Sequence, residues 1–159
     1  MIRKATATDA AFLYELYMSP SINSYLLYEY MDMDSFQPLL DELLSKECLY
    51  IFENEKGAAG MCKLLPMNHR NSHVIYLGGV AIAPSHSGKG LGEKMLREVV
   101  KLCNEQNYKR IELTVATINL KAISLYEKLG FRQEGVLRKL TWLKKEDIFL
   151  DEVMMSLLL

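Results

Sequence analysis

The chain opens on a short mixed segment, Ile2-Arg3-Lys4-Ala5, with apolar residues at either end of two basic ones, which predicts a short strand. Thr8-Asp9 then supplies an N-cap for a helix over Ala10 to Met18, with Phe12, Leu13, Leu16 and Tyr17 on its apolar side, and Pro20 interrupts it. A second helical period runs from Asp34 to about Lys46 and gathers Leu39, Leu40, Leu43 and Leu44 on one side. The aromatic stretch between them, with Tyr25, Leu26, Leu27, Tyr28 and Tyr30, has the composition of a lid or wall. Cys48 to Phe52 and Ala58 to Leu65 flank Asn54-Glu55-Lys56-Gly57, the pattern of a β-hairpin. His73 to Ile82 predicts another strand, in which Gly78-Gly79 marks a bulge or a close approach to the backbone.

Beyond a glycine-rich loop, Leu91, Met95, Leu96, Val99, Leu102 and Cys103 recur at helical spacing, opposite Glu93, Lys94, Arg97, Glu98 and Lys101, until Gln106-Asn107. Ile111 to Val115 is a short β-branched strand, and Leu120 to Lys128 a helix that Gly130 stops in a left-handed conformation. Two last strands, Arg132 to Leu143 and Ile148 to Leu158, join through Lys144-Lys145-Glu146-Asp147. The order is α+β, with one βαβ unit in its middle.

A chain of 159 residues, half of them hydrophobic, suits a single domain over residues 1–159. A net charge of −1 without a Lys/Arg block argues against a nucleic-acid partner. No apolar run approaches the roughly 20 residues that span a bilayer, and Met1 to Thr6 lacks the apolar stretch of a secretory signal, so no membrane partner and a cytoplasmic location are expected. Cys48, Cys62 and Cys103 are odd in number, widely spaced and set among apolar neighbours. They predict buried free thiols rather than a disulfide framework or a metal site.

The loop carries the chemistry. Val80-Ala81-Ile82 runs through Pro84 into Ser87-Gly88-Lys89-Gly90-Leu91-Gly92 and a helix. Glycines let the backbone approach a ligand, and a helix start offers unpaired amides and a positive dipole end, so the segment predicts an anion site suited to phosphate or pyrophosphate. It is no P-loop, because Lys89 lies between glycines and Leu91-Gly92-Glu93 follow. As a dinucleotide fingerprint it has Glu93 where the third glycine belongs.

Gly90-Leu91-Gly92 resembles the acyl-CoA-binding motif of the GNAT N-acetyltransferases, Gln/Arg-x-x-Gly-x-Gly/Ala. Asn119, Ala122, Tyr126, Gly130 and Phe131 resemble the family's second motif, Asn-x-x-Ala-x-x-x-Tyr-x-x-x-Gly-Phe. The tail, Glu134-Gly135-Val136-Leu137-Arg138 with Asp151 before Met154, is similar to the bacterial branch that acetylates protein N-termini, free amino acids and related small amines. One position departs from the pattern: Ser87 stands where the family has Gln or Arg, which implies weaker cofactor binding.

The resemblance implies a mixed, mostly antiparallel central sheet of roughly six to seven strands, about four helices and a splayed pair of central strands. It implies acetyl-CoA as co-substrate and direct transfer to a primary amine of an amino-acid-like small molecule or a protein N-terminus, and it is compatible with a homodimer. It places the Val80, Ala81 and Ile82 amides along the pantetheine and thioester. Ser87, Gly88, Lys89, Gly90, Leu91 and Gly92 fall at the pyrophosphate, and Asn119 and Tyr126 beside the cofactor.

Tyr126 is the general-acid candidate, since a phenol with a pKa of about 10 is protonated at neutral pH and can donate to a thiolate; spacing alone favours a core tyrosine, and the Asn119 spacing with Gly130-Phe131 turns the reading toward the acid. Glu112, His73 or a water chain could take the proton of the incoming ammonium, while Glu112 in a strand can also simply face solvent. Tyr25, Tyr28, Tyr30 and Phe36 either line the acceptor pocket, expected where the N-terminal helices meet the central strands, or pack as core. Glu29, Asp32 and Asp34 keep a polyamine open as acceptor. A non-catalytic acyl-CoA sensor on the same fold, and an unrelated phosphate-binding α/β protein, are the competing readings.

Overall fold

The computed structural model describes residues 1–159. Its strands are β1 (Ile2–Lys4), β2 (Leu49–Asn54), β3 (Gly57–Pro66), β4 (Val74–Ile82), β5 (Arg110–Ala116), β6 (Arg132–Leu143) and β7 (Ile148–Leu158). Its helices are α1 (Ala10–Tyr17), α2 (Met33–Ser45), α3 (Leu91–Glu105) and α4 (Leu120–Lys128). The seven strands form one sheet in the order β1-β2-β3-β4-β5-β7-β6, the α+β architecture that the element order predicts. β4 and β5 pair in parallel, as the βαβ unit around α3 requires, whereas β1-β2, β2-β3, β5-β7 and β6-β7 are antiparallel. The parallel pairing joins Val74–Tyr76 to Arg110–Glu112 and stops there, although β4 continues to Ile82 and β5 to Ala116.

The chain divides into two compact units, Met1–Leu64 with Gly79–Glu98, and Leu65–Gly78 with Val99–Leu159. In the first, the start of α1 differs from its expected cap. Asp9 makes no side-chain cap bond to α1. Its carboxylate instead accepts the Thr6 amide at 2.8 Å and two hydrogen bonds from Arg3, each 2.8 Å, across a short 3₁₀ turn, Ala7–Asp9. A guanidinium outcompetes a neutral amide for a carboxylate, which moves the effective N-terminus back to Thr6. α2 has a conventional cap, the Asp32 carboxylate accepting the Ser35 amide at 2.8 Å.

Leu13, Leu16 and Tyr17 from α1, Phe36 and Leu40 from α2, and Leu49, Ile51, Met61 and Cys62 from the hairpin are all buried in this unit. Removing a side chain of that size from water contributes about 1.5–3 kcal/mol. β3 is buried from Ala59 to Leu64 without alternation, because both of its faces are covered. Gly60 must be glycine: a Cβ there would stand 2.6 Å from Ile82 Cδ1 and 2.7 Å from the Ala81 carbonyl oxygen. The expected irregularity in β4 falls at Gly79, whose φ is +57°.

In the second unit β5 alternates, with Ile111, Leu113 and Val115 buried and Arg110, Glu112 and Thr114 partly exposed. α4 ends at Gly130, φ +94°, as predicted. Lys139 takes a left-handed φ of +51° at a register shift in β6, and its amide donates to the Asp151 carboxylate at 2.7 Å. Cys48, Cys62 and Cys103 are free and buried. No helix is long and apolar enough to cross a membrane.

Candidate active site

In the glycine loop, Pro84–His86 forms a single 3₁₀ turn closed by the Ser87 amide on the Pro84 carbonyl at 3.1 Å. Gly88 and Gly90 have φ of +76° and +70°, with open space where a Cβ would stand. Glycine takes that left-handed conformation without strain, and two such residues in three are the kind of turn whose backbone amides can serve an anion. The Lys94 amide donates to the Gly90 carbonyl at 3.2 Å, the first bond of α3. The Leu91 and Gly92 amides stand ahead of it, with no carbonyl of their own helix to reach. Lys89 Nζ donates to the Ser85 carbonyl at 3.0 Å, which keeps its charge over the loop. Ser87 is exposed, so nothing holds its short side chain away from solvent. The backbone here suits an anion with several oxygens.

The loop stands on apolar ground. Phe52, Ala59 and Met95 form a buried cluster against which Val80, Ile82 and Leu91 pack, so one hydrophobic contact fixes both the end of β4 and the first turn of α3. The Ala83 amide donates to the Ala59 carbonyl at 2.9 Å and closes that end of the strand. Ala81 is buried, while Val80 and Ile82 are half-buried.

In the second unit, Asn119 is the N-cap of α4, its side-chain oxygen accepting the Ala122 amide at 3.3 Å. Tyr126 lies on the buried side of that helix with its ring tilted against Phe131, centroids 5.6 Å apart. The motif residues Asn119, Ala122, Tyr126 and Phe131 therefore build one local structure. Glu112 does not face solvent freely: its carboxylate accepts from Arg110 Nε at 2.9 Å and it is 14% exposed. Arg110 also grips Glu134 through two bonds of 2.8 and 2.6 Å. His73 is exposed, just before β4, and its carbonyl accepts the Lys109 amide at 2.8 Å. His86 pairs its Nδ1 with the Ser85 hydroxyl at 3.0 Å.

Of the aromatic residues proposed for an acceptor pocket, Phe36 is fully buried core, Tyr28 is half-buried, and Tyr25 and Tyr30 are exposed. Tyr28 lies 5.4 Å from the Tyr17 ring, and Tyr17 lies 5.6 Å from Phe36. Lys63 was not anticipated: it is 6% exposed, with its ammonium 4.9 Å from the centre of the Tyr28 ring. A lysine inside an apolar strand is a visible signal, but periodicity alone would send it to solvent.

Residues 10–131 match the sequence model of the Acetyltransferase (GNAT) family. The chain belongs to this family. An L-2,4-diaminobutyric acid acetyltransferase of Halalkalibacterium halodurans is 27% identical over 93% of this chain and 73% of its own length. A spermine/spermidine N(1)-acetyltransferase of Bacillus subtilis is 30% identical over 86% of this chain and 90% of its own. The crystal structure of spermidine N-acetyltransferase from Vibrio cholerae in complex with CoA and spermine superposes with a TM-score of 0.87 at 24% identity, covering 99% of this chain and 94% of that one. This GNAT protein is an N-acetyltransferase that uses acetyl-CoA, and the left-handed glycines and helix-start amides of its loop fit a pyrophosphate.

Proposed function

We propose that residues 1–159 act as one acetyltransferase domain that passes acetyl directly to a primary amine, of an amino-acid-like small molecule or a protein N-terminus. The observation that carries this reading is the loop at α3, where Gly88 and Gly90 are left-handed, unobstructed and followed by the first helical amides. Acetyl-CoA supplies an activated thioester. In this reading the Gly88 to Gly92 amides and Lys89 hold its pyrophosphate, Ser87 adds one hydroxyl, Val80 to Ile82 supply amides along the pantetheine and toward the developing oxyanion, and Asn119 steadies the cofactor side of α4. The neutral amine forms the new C–N bond as the C–S bond breaks, Tyr126 gives its phenolic proton to the departing thiolate, and the ammonium proton leaves through a base.

Glu112 is the side chain proposed as that base. Its Arg110 partner favours a second reading, in which Glu112 anchors Arg110 on β5 and a water chain takes the proton. Glu112→Gln separates the two: a base gives a loss of about 10²-fold or more in kcat with Tm kept, whereas an anchor lowers Tm and keeps kcat within a few-fold.

Related names span an amino acid and polyamines as acceptors, so the amine itself is read from turnover. Acetyl-CoA is mixed with free amino acids, polyamines, aminoglycosides and N-terminal peptides, and released thiol is followed. Tight CoA binding without turnover on any of them would favour the sensor. We further infer a cytoplasmic protein without nucleic-acid or membrane partners, from its three buried free thiols and net charge of −1. A homodimer is carried by the resemblance, and the mass in solution tests it.

A further inference from the structure

Lys63 is a buried cation without an anion. It is 6% exposed on β3, makes no ion pair with a carboxylate, and has as its polar neighbour the Tyr28 hydroxyl at 3.4 Å. Burial pulls its pKa below the ordinary lysine range, the direction expected for a cation taken out of water without a carboxylate partner. The Tyr17 hydroxyl is also buried, and it has no hydrogen-bond partner at all. Burial pushes both phenols up, so Tyr17 and Tyr28 remain donors at any physiological pH. An unmade bond at a buried hydroxyl is destabilising, and a buried charge without a counter-charge is more so.

Lys63 and Tyr17 meet at Gly79, and Tyr28 joins them through Lys63. The Lys63 Cε and the Tyr17 hydroxyl lie 3.3 and 3.5 Å from where a Cβ on Gly79 would stand, so both flank that glycine, and its missing side chain lets them approach it. Buried Asn23 fixes both tyrosine segments, donating to the Tyr17 carbonyl at 2.8 Å and to the Tyr28 carbonyl at 2.9 Å. Tyr28 belongs to the aromatic stretch between α1 and α2, which also exposes Tyr25 and Leu27. The three donors are therefore held in place, beside the Gly79 bulge that leads into Val80.

We propose that Lys63, Tyr17 and Tyr28 form a carboxylate subsite, so that the preferred acceptor is an amine that also bears a carboxylate. A carboxylate accepts from one ammonium and two phenols at once, and it supplies the missing counter-charge. A polyamine would bring a second cation against Lys63 and is disfavoured. The inference rests on the acetyltransferase reading and narrows its acceptor.

The test pairs each amino acid with its decarboxylated amine: 2,4-diaminobutyrate with 1,3-diaminopropane, lysine with cadaverine, phenylalanine with phenethylamine, with spermidine alongside. Among pairs that turn over, kcat/KM should favour the carboxylate member by about tenfold or more, and Lys63→Met should lower that ratio by about tenfold, chiefly through KM. Tyr17→Phe removes only the unpartnered hydroxyl, keeps the buried ring and should lower the ratio severalfold, which covers the case in which Lys63→Met does not fold. A wild-type ratio at or below one, a preference for spermidine, or an unchanged ratio in the folded variants overturns the subsite while leaving the acetyltransferase intact. Absence of turnover on every amine overturns both.

Discussion

Asn119 spends its side-chain oxygen on the Ala122 amide, at 3.3 Å, and so caps the helix that carries Tyr126. The cap and any contact to the cofactor are separable by substitution. Asn119→Ala should cost about 1 kcal/mol and lower Tm by about 2–4 °C, with kcat falling as α4 frays. Asn119→Asp keeps an equivalent cap but sets a carboxylate near a polyanionic ligand, so Tm should hold while KM for acetyl-CoA rises. Unchanged acetyl-CoA affinity in Asn119→Asp would leave Asn119 a helix cap only.

Tyr126 offers a cleaner separation of packing from chemistry. Its ring is buried against Phe131, and Tyr126→Phe retains that ring, so Tm should move little. Loss of the phenolic proton should lower kcat by about 10²-fold or more with little change in KM for acetyl-CoA. Steady-state kinetics with a thiol readout decide it, and full activity in the variant would return Tyr126 to the core.

Much of this architecture was written in local pattern. β6 and β7 begin and end where the sequence predicts, since their turn is a run of charged residues between apolar strands, and Gly130 stops α4 because its left-handed φ suits glycine. The anion loop was equally legible, because it is contiguous. What escaped depends on which side chain claims a charged group and on how the strands are covered. Asp9 looked like a cap, but Arg3 lies on its other side and claims it. Glu112 looked like a solvent-facing residue, but Arg110, two positions earlier on the same face of β5, takes its carboxylate. Lys63 carries no local signal of its burial, which follows from β3 being covered on both faces.

The loop predicts opposite outcomes at neighbouring positions. Ser87 has an extended backbone, φ −63° and ψ 153°, and an exposed side chain, so Ser87→Arg carries no conformational cost. A guanidinium that reaches the pyrophosphate should lower KM for acetyl-CoA by about three- to tenfold. Gly90→Ala places a Cβ in open space but on a φ of +70°, a backbone penalty of about 1–2 kcal/mol that should raise the same KM severalfold. Acetyl-CoA titrations of both variants check the pair. Equal or weaker binding in Ser87→Arg would mean that this loop does not need the long side chain typical of its family.

Acid should remove a stabilising contribution at Glu134. Arg110 above all, with Ser156 assisting, holds this carboxyl down at about 2 from an ordinary 4.5. Above pH 4.5 the carboxylate is ionised in both folded and unfolded chains, and the stabilisation is fully present. As pH falls from 4.5 toward 2, the unfolded chain takes up the proton that the folded chain refuses, and the contribution drains away. Glu134→Gln should therefore be less stable than the parent at neutral pH, and the two Tm curves should converge over that interval. Because the pair is partly exposed, added salt should narrow the neutral-pH gap. Parallel Tm curves from pH 7 down to pH 2 would show that the Arg110 grip on Glu134 contributes nothing in solution.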